Sequence, residues 1–455
     1  MKKILSTRIK FFSAGFLLLL YPIFIFSRSY LGIYISGYRV GEFYVAFSLV
    51  GSVILLVFFQ KPLKERFNSK IINSYNLLVV YFFLSVLIKR DSLLDVTIYR
   101  NSSFMWSLFY IFLGVFIFDN VKITKKILIF LNFNLLLAYY LQIIYFYKLT
   151  LLYGDLAMYS YEIRILNLSN NKLLDFFIVN SDKFETYKGS GFLLFYVLIT
   201  HLTLNKNEGS RLWIIFFVLV SGLFIPVFLV RSRTAAAIAI CYFIFNLYKS
   251  RSILFQPIRY LFFTILIFGS CFIFSTNLLY EETLALNNSS GVMEQLVTGR
   301  NTPQGDRAFL EFENGRLYSS DGNLNWRLQI WQDVFSDMYT EKDLIFGQGF
   351  AGTIRSMENS LPGYYGRTGL DGLNTNVHNF IVNMLARGGI FYVFGYFVFL
   401  YLLVKKDLTN KRRSTLLYFL IPLLIVVLFD AAMENVHYPL FLYLYFGLHF
   451  SQKDH

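Results

Sequence analysis

Apolar runs of roughly 20 residues recur along the whole chain, and each is long enough to cross a hydrocarbon core of about 30 Å. A chain built this way must satisfy its backbone inside the bilayer, and continuous helices do so. The rest of the composition agrees. Hydrophobic residues make up 56% of the 455 positions and charged residues 15%, against about 25% charged in soluble domains. The sequence therefore reads as an all-α polytopic membrane protein forming a single membrane domain over 1–455. About twelve transmembrane helices are expected, near 11–27, 41–60, 73–88, 102–118, 127–147, 191–205, 212–230, 234–248, 259–276, 380–403, 414–430 and 439–450. The two cysteines, Cys241 and Cys271, lie inside apolar runs. They read as small buried hydrophobes rather than a disulfide framework or metal cluster.

The net charge of +14 would suit a nucleic-acid binder, but its distribution argues otherwise. The loops on the N-terminal side of the spans hold 22 Lys and Arg against 5 Asp and Glu, a net of +17. The remainder holds 20 against 23, a net of −3. A basic excess on alternate loops marks the cytoplasmic face. Both termini are then cytoplasmic, and no nucleic-acid partner is expected. Met1–Ser27 has a basic start and an apolar core without a small-residue cleavage site, so it reads as a retained first span.

Two long connections fall on the opposite, external face: a first loop at 148–190 and a large loop at 276–378. Long loops of this kind are usually functional. The larger contains Asn325–Tyr339, in which Leu328, Trp331, Phe335 and Met338 recur at helical spacing. This predicts an amphipathic helix lying on the membrane surface or on the bundle. Asn325 is the expected N-cap, which places Arg327 in a first turn that favours anions. Leu344–Gly352 follows, with three glycines that point to a tight turn where backbone approaches a neighbour closely. It lacks the preceding strand and the Lys-Ser/Thr ending of a nucleotide-binding P-loop. The loop ends at Asn374-Thr-Asn-Val-His-Asn379, which places His378 at a helix start.

Val230-Arg-Ser-Arg-Thr-Ala235 puts Arg231 and Arg233 at the external end of a span, against the positive-inside trend. The pair either snorkels to lipid phosphates or forms an anion clamp, since guanidinium matches phosphate oxygens. The small residues of Thr234–Ala239 permit close helix packing beneath it. Arginines from two parts of the chain plus a histidine beside the membrane imply transfer from a lipid-linked pyrophosphate to a hydroxyl. Histidine accepts the hydroxyl proton, and arginine charge stabilises the departing pyrophosphate.

Other polar residues carry plainer readings. His201, His437 and His449 read as satisfied interior or interfacial groups. Arg387, inside a span, either pairs with Asp430 or Glu434 or joins the site. Arg300, Arg307 and Arg316 read as solvated loop charges, and Tyr364 and Tyr365 as locally packed aromatics. No His, Cys and Glu cluster has metal-ligand spacing, so neither metal nor cofactor is expected.

The order of these pieces resembles the O-antigen ligase and polymerase superfamily of bacterial envelope glycosyltransferases. The pieces are Arg-Ser-Arg-Thr at a span end, Asn-Trp-Arg with a following Trp in a long external loop, Phe-Gly-Gln-Gly-Phe, and His-Asn opening a span that contains Arg387-Gly-Gly-Ile. The similarity covers about Leu229–Leu403. It implies a bundle related to the integral-membrane glycosyltransferases, in the bacterial inner membrane with its active site facing the periplasm. The implied donor is an oligosaccharide on undecaprenyl pyrophosphate, used without metal, with membrane lipids, a chain-length regulator and a flippase as partners. By the same resemblance the span-end arginine corresponds to Arg231 or Arg233, the loop arginine to Arg327 and the histidine to His378. Arg355 and Arg367 lie in the same loop and are further pyrophosphate-binding candidates. The expected activity is that of an O-antigen polymerase; the sister activity, a ligase acting on lipid A-core, is the alternative. A lipid-linked sugar flippase or transporter is the rival from another class. It is disfavoured by the absence of an evident internal repeat and by polar content concentrated in one external loop.

Overall fold

In the computed structural model the described residues are 2–25, 34–36, 38–58, 63–64, 66–121, 126–137, 140, 189–204, 211–250, 258–278, 309–320, 322–341, 343–358, 377–409, 415–429, 432–434 and 436–451. Helices dominate them. In chain order they are α1 (Lys2–Ile25), α2 (Val40–Phe58), α3 (Ser69–Lys89), α4 (Val96–Asn101), α5 (Ser103–Trp106), α6 (Phe109–Asn120), α7 (Lys126–Leu137), α8 (Gly189–Leu204), α9 (Arg211–Arg231), α10 (Arg233–Lys249), α11 (Ile258–Leu278), α12 (Gly322–Thr340), α13 (Arg355–Glu358), α14 (Phe380–Thr409), α15 (Thr415–Val427) and α16 (His437–Ser451). A 3₁₀ turn spans Ala432–Glu434, and two short antiparallel hairpins occur: β1 (Tyr34–Ile35) with β2 (Tyr38–Arg39), and β3 (Glu311–Glu313) with β4 (Arg316–Tyr318).

Five helical segments among the described residues are long and apolar enough to cross a membrane: Ser69–Lys89, Ser103–Asn120, Leu212–Leu229, Tyr260–Asn277 and Phe380–Leu408. Shorter apolar helices cover Val40–Leu55, Lys126–Leu137, Leu193–Leu202 and Thr234–Lys249. The first external loop lies outside the described residues apart from Gly189 and Ser190, as does much of the larger one.

Packing is built from close helix pairs. α16 lies along α6, α9 along α11, α14 along α3, and α8 contacts α9, α10 and α15. The α6–α16 crossing is made by two glycines. A Cβ on Gly447 would sit 2.4 Å from the Ile111 carbonyl and 2.6 Å from the Gly114 Cα. Small residues at such crossings let backbones approach, which matters where lipid supplies no hydrophobic driving force between helices. Buried hydroxyls add hydrogen bonds between helices: Tyr396 with Tyr443 at 2.6 Å, Tyr196 with Ser221 at 2.9 Å, and Asn132 donating to Tyr445 Oη at 3.0 Å.

Polar contacts gather at the two helix-end faces. At one, Arg66 pairs with Asp119 at 2.8 Å, His449 Nε2 meets Asp407 Oδ1 at 2.6 Å, and Lys406 lies over the rings of Phe67 and Phe450. His449 is thus a satisfied interior group, as the sequence reading has it. At the other, the ends of α3, α14 and α15 meet the residues of the large loop.

Replacing Gly447 by Val is expected to cost about 1–3 kcal/mol through overpacking, read as a lowered thermal midpoint in detergent. Gly269→Val on α11, where an added Cβ meets nothing within 4 Å, is expected to leave that midpoint unchanged.

Candidate active site

The glycine-rich loop is built into a break in α14. Gly389 has φ 74° and ψ −175°, so helical hydrogen bonding stops there. The freed backbone groups find partners in the loop. Gln348 N donates to Ala386 O at 2.7 Å, Gly349 N to Arg387 O at 3.1 Å, and Ile390 N to Leu344 O at 2.9 Å. The Tyr81 hydroxyl reaches Ile345 O and Gly388 O, both at 2.8 Å. This close approach requires glycine. A Cβ on Gly347 would lie 2.4 Å from Arg387 O, and one on Gly389 2.0 Å from Ile345 O. Of the three loop glycines Gly347 thus serves close backbone contact, as the spacing suggests, whereas an added Cβ would meet side chains at Gly349 and nothing at Gly352. Asn101 Nδ2 closes the far end on Phe350 O (2.8 Å) and Gly352 O (3.1 Å).

Arg387 precedes the break and is 2% exposed. Its Nη1 donates to Gly352 O at 2.9 Å. The charges of Glu434 and Asp91 act on it favourably and that of Arg100 unfavourably. Of the two partners anticipated for it, Glu434 lies near enough for its charge to act on the guanidinium, and Asp430 lies outside the described residues. A buried arginine of this kind is tolerated because carbonyls and carboxylates replace its water.

Helix α12 carries the second part of the site. Ile330, Val334 and Met338 are fully buried against Ile354, Met357, Val377, Val382 and Ala386. The docked stripe is centred on Ile330, Val334 and Met338; of the predicted residues Met338 is buried in it and Trp331 packs against it, while Phe335 is exposed. The helix also starts at Gly322 rather than after Asn325. Asn325 Oδ1 instead accepts from Ser319 N at 3.0 Å, tying the hairpin to the helix, so Arg327 lies beyond the first turn. The anion-binding helix start expected for Arg327 is therefore not formed. Its Nη1 donates to Phe429 O, just past α15, at 2.6 Å.

This docking brings Arg327 and His378 into one neighbourhood. Trp331 Nε1 donates to Val377 O at 2.7 Å. The adjacent Trp326 ring meets the His378 ring edge-on, centroids 5.0 Å apart. His378 has φ 53°, a left-handed conformation costing of order 1 kcal/mol or more in a non-glycine residue. Asn379 follows as the N-cap of α14, its Oδ1 accepting from Ile381 N (3.0 Å) and Val382 N (3.1 Å). The cap fixes the backbone just past the imidazole, so the helix start predicted for His378 is present.

The other candidates lie elsewhere. Arg355 opens α13 and pairs with Asp343 Oδ2, while Lys89 Nζ takes Asp343 Oδ1 at 2.5 Å. Two cations share one carboxylate, and half-exposed Arg355 keeps positive charge toward solvent. Arg231 ends α9 and Arg233 opens α10, with Ser232 between them as N-cap, its Oγ accepting from Ala235 N at 3.3 Å. The side chains of Arg231 and Arg233 lie outside the described set; α10 packs on α15, the helix after which Phe429 receives Arg327. Arg316, read from sequence as a solvated charge, instead binds Asp333 at 2.5 Å and Gln329 at 3.0 Å, fastening β4 to α12. Arg300, Arg307, Arg367, Tyr364 and Tyr365 lie outside the described residues, as does the His437 side chain.

Sequence reasoning missed Lys89 and Asp343, which are 254 residues apart and meet only through the fold. It also missed the β3–β4 hairpin, although Asn314-Gly315 between short alternating segments is the usual two-residue turn signal. Among the described residues no group of three or more His, Cys, Asp or Glu could hold a metal ion.

Tyr81→Phe would leave the Ile345 and Gly388 carbonyls without their donor, a loss of about 1–3 kcal/mol. The expected result is a lowered thermal midpoint and faster proteolysis within 344–352. Gly389→Ala, strained in φ and blocked by the Ile345 carbonyl, is expected to lower the folded yield further.

No curated protein and no solved structure matches the chain. Residues 216–399 match the family model described as O-antigen ligase, a segment that contains the α9–α10 junction, α12, the glycine loop and the broken helix. That match covers under half of the chain; with the apolar helices it supports an integral membrane protein related to the O-antigen ligase and polymerase superfamily.

Proposed function

We propose that the chain is an O-antigen-type polysaccharide polymerase, a metal-independent glycosyltransferase using a glycan carried on undecaprenyl pyrophosphate. The observation that carries this reading is His378, held in a left-handed turn against Trp326 while the next residue on α12, Arg327, is fixed to the end of α15. In the reaction, the hydroxyl oxygen of the next lipid-linked repeat unit attacks the donor sugar's anomeric carbon. The bond from that carbon to the pyrophosphate oxygen breaks, the hydroxyl proton passes to His378, and the pyrophosphate leaves on its lipid carrier. Guanidinium stays protonated at any physiological pH, so Arg327 serves as electrostatic stabiliser rather than base. Arg231, Arg233, Arg355 and Arg367 are assigned to pyrophosphate binding.

The reading includes about twelve spans, both termini cytoplasmic, an active site facing the periplasm from the inner membrane, and a chain-length regulator and flippase as functional partners. The polar contacts support this topology. Arg66–Asp119 and His449–Asp407 join basic loops at one face, while Lys89–Asp343 and Arg327–Phe429 join helix ends at the opposite one. The matching family is that of O-antigen ligases, which favours the ligase as second reading.

Deleting the gene in its own strain and resolving surface polysaccharide on a gel separates the two. Lipid A-core capped by a single repeat unit is the result expected for the polymerase. Uncapped core, with long chains accumulating on the lipid carrier, would assign the ligase. An unchanged ladder would refute both. Restoring the gene as Arg327→Ala is expected to leave the deletion phenotype in place with normal membrane levels of the protein, because transition-state charge stabilisation by one such donor is worth about 10²–10³ in rate.

A further inference from the structure

The glycine loop does not rest on the external surface; it descends beside α3. Ile345 O is bonded to the Tyr81 hydroxyl, the Ser85 hydroxyl contacts Phe346 O at 3.4 Å, and Gly349 lies beside Lys89 and Asp91. Tyr81 precedes Lys89, the last residue of α3, by eight positions. At a rise of about 1.5 Å per residue, Ile345 is roughly 12 Å below the helix end. The break at Gly389 lies nine residues into α14, about 13 Å from its start by the same rise. Two independent helices thus give the loop tip one depth.

At that depth the side chains point outward. Leu344 is 48% and Ile345 45% exposed. The Leu344 carbonyl is bonded to Ile390 N, and Ile390, Phe391 and Phe394 form the exposed apolar face of α14. α3 exposes Leu84, Leu87 and Ile88 over the turns that flank the loop. The patch also continues upward. Residues on a helix advance by about 100° each, so Trp331, Phe335 and Tyr339 form a stripe beside the docked Ile330–Val334–Met338 stripe. Phe335 is 53% and Tyr339 85% exposed. The opposite flank, with Gln329 and Asp333, is taken by the β3–β4 hairpin.

We propose that residues 343–352 form a re-entrant segment whose Leu344 and Ile345 side chains lie among the acyl chains of the loop-side leaflet, with Phe335 and Tyr339 at its interface. Irregular backbone at membrane depth is tolerated only where protein satisfies its polar groups. The loop meets that condition at the carbonyls of Leu344, Ile345 and Phe346 and the N–H groups of Gly347, Gln348 and Gly349, all paired within the protein, while the Leu344 and Ile345 side chains face outward. The occupant is bilayer lipid because the patch is continuous with the outward faces of two helices apolar enough to span. The functional consequence is that Arg355, which follows the segment and pairs with Asp343 at its start, is fixed at a set height relative to the acyl chains, where a lipid-carried pyrophosphate is presented.

The proposal rests on the reading of α3 and α14 as spans, and the test separates the two. Nitroxide labels are placed one at a time at Ile345→Cys, Leu344→Cys and Phe335→Cys in the full chain carrying Cys241→Ala and Cys271→Ala. The protein is reconstituted in phosphatidylethanolamine and phosphatidylglycerol vesicles. Collision with oxygen is compared with collision with an aqueous nickel chelate. Phe394→Cys reports the span and Glu313→Cys the aqueous loop. Labels at 344 and 345 are expected to match 394, several-fold more accessible to oxygen than to the chelate, with 335 intermediate and 313 reversed. Chelate access at 344 and 345 equal to that at 313, with 394 still in lipid, would overturn the proposal alone. Chelate access at 394 would overturn the span reading with it. Spin–spin broadening at 345 between copies, without oxygen access, would assign the patch to a second chain and also overturn it.

Discussion

The backbone exchange between the glycine loop and the break in α14 is the constraint on which the rest of the loop-side face depends. A helix interrupted within an apolar segment exposes carbonyls and an N–H that lipid cannot satisfy, at a cost of several kcal/mol each. Here Ala386, Arg387, Gly388 and Ile390 are paired by Gln348, Gly349, Tyr81 and Leu344. The break and the loop are therefore one structure, and neither is tolerable without the other. Arg387 gains its place from the same arrangement, since the loop brings the Gly352 carbonyl to its guanidinium and the 3₁₀ turn brings Glu434.

From that base the candidate site is assembled in layers. The loop leads into α13, whose Met357 joins the apolar cluster that receives α12. α12 in turn presents three sides to three tasks: an apolar stripe to the start of α14, a polar flank to the hairpin, and Trp326 and Arg327 toward His378 and α15. Each contact is modest alone, but together they fix two residues that are 51 positions apart in sequence into one neighbourhood, leaving little conformational freedom for the approach of an anionic substrate.

Hydropathy made the membrane class, the helical stretches and the site-bearing loop legible, because bilayer thickness fixes element length. The glycine spacing of 344–352 also announced a close backbone approach. Two finer readings failed for local reasons. The α12 stripe is displaced because an apolar arc wide enough to include both Val334 and Phe335 does not reveal which half finds a partner. Asn325 resembles a helix cap in sequence but is drawn to the hairpin, so the helix begins at Gly322. For Arg387 the sequence reading named Glu434, but the Asp343 and Lys89 that meet at Arg355, and the Asp91 and Arg100 near Arg387, were beyond reach because they converge only through tertiary structure. Arg231 and Arg233 were legible as an oddity of topology; their helices are placed, and their assignment to the substrate rests on the proposed reaction.

The central claim is that His378 takes a proton from the acceptor hydroxyl. The most direct measurement is glycan transfer between purified lipid-linked repeat units by the full chain in vesicles, followed across pH for the native protein and His378→Gln. The account predicts that native activity falls on the acid side as the imidazole protonates, and that His378→Gln is slower by about 10²–10⁴ and lacks that acid limb. A His378→Gln protein that transfers glycan at the native rate, with the same pH profile, would contradict it.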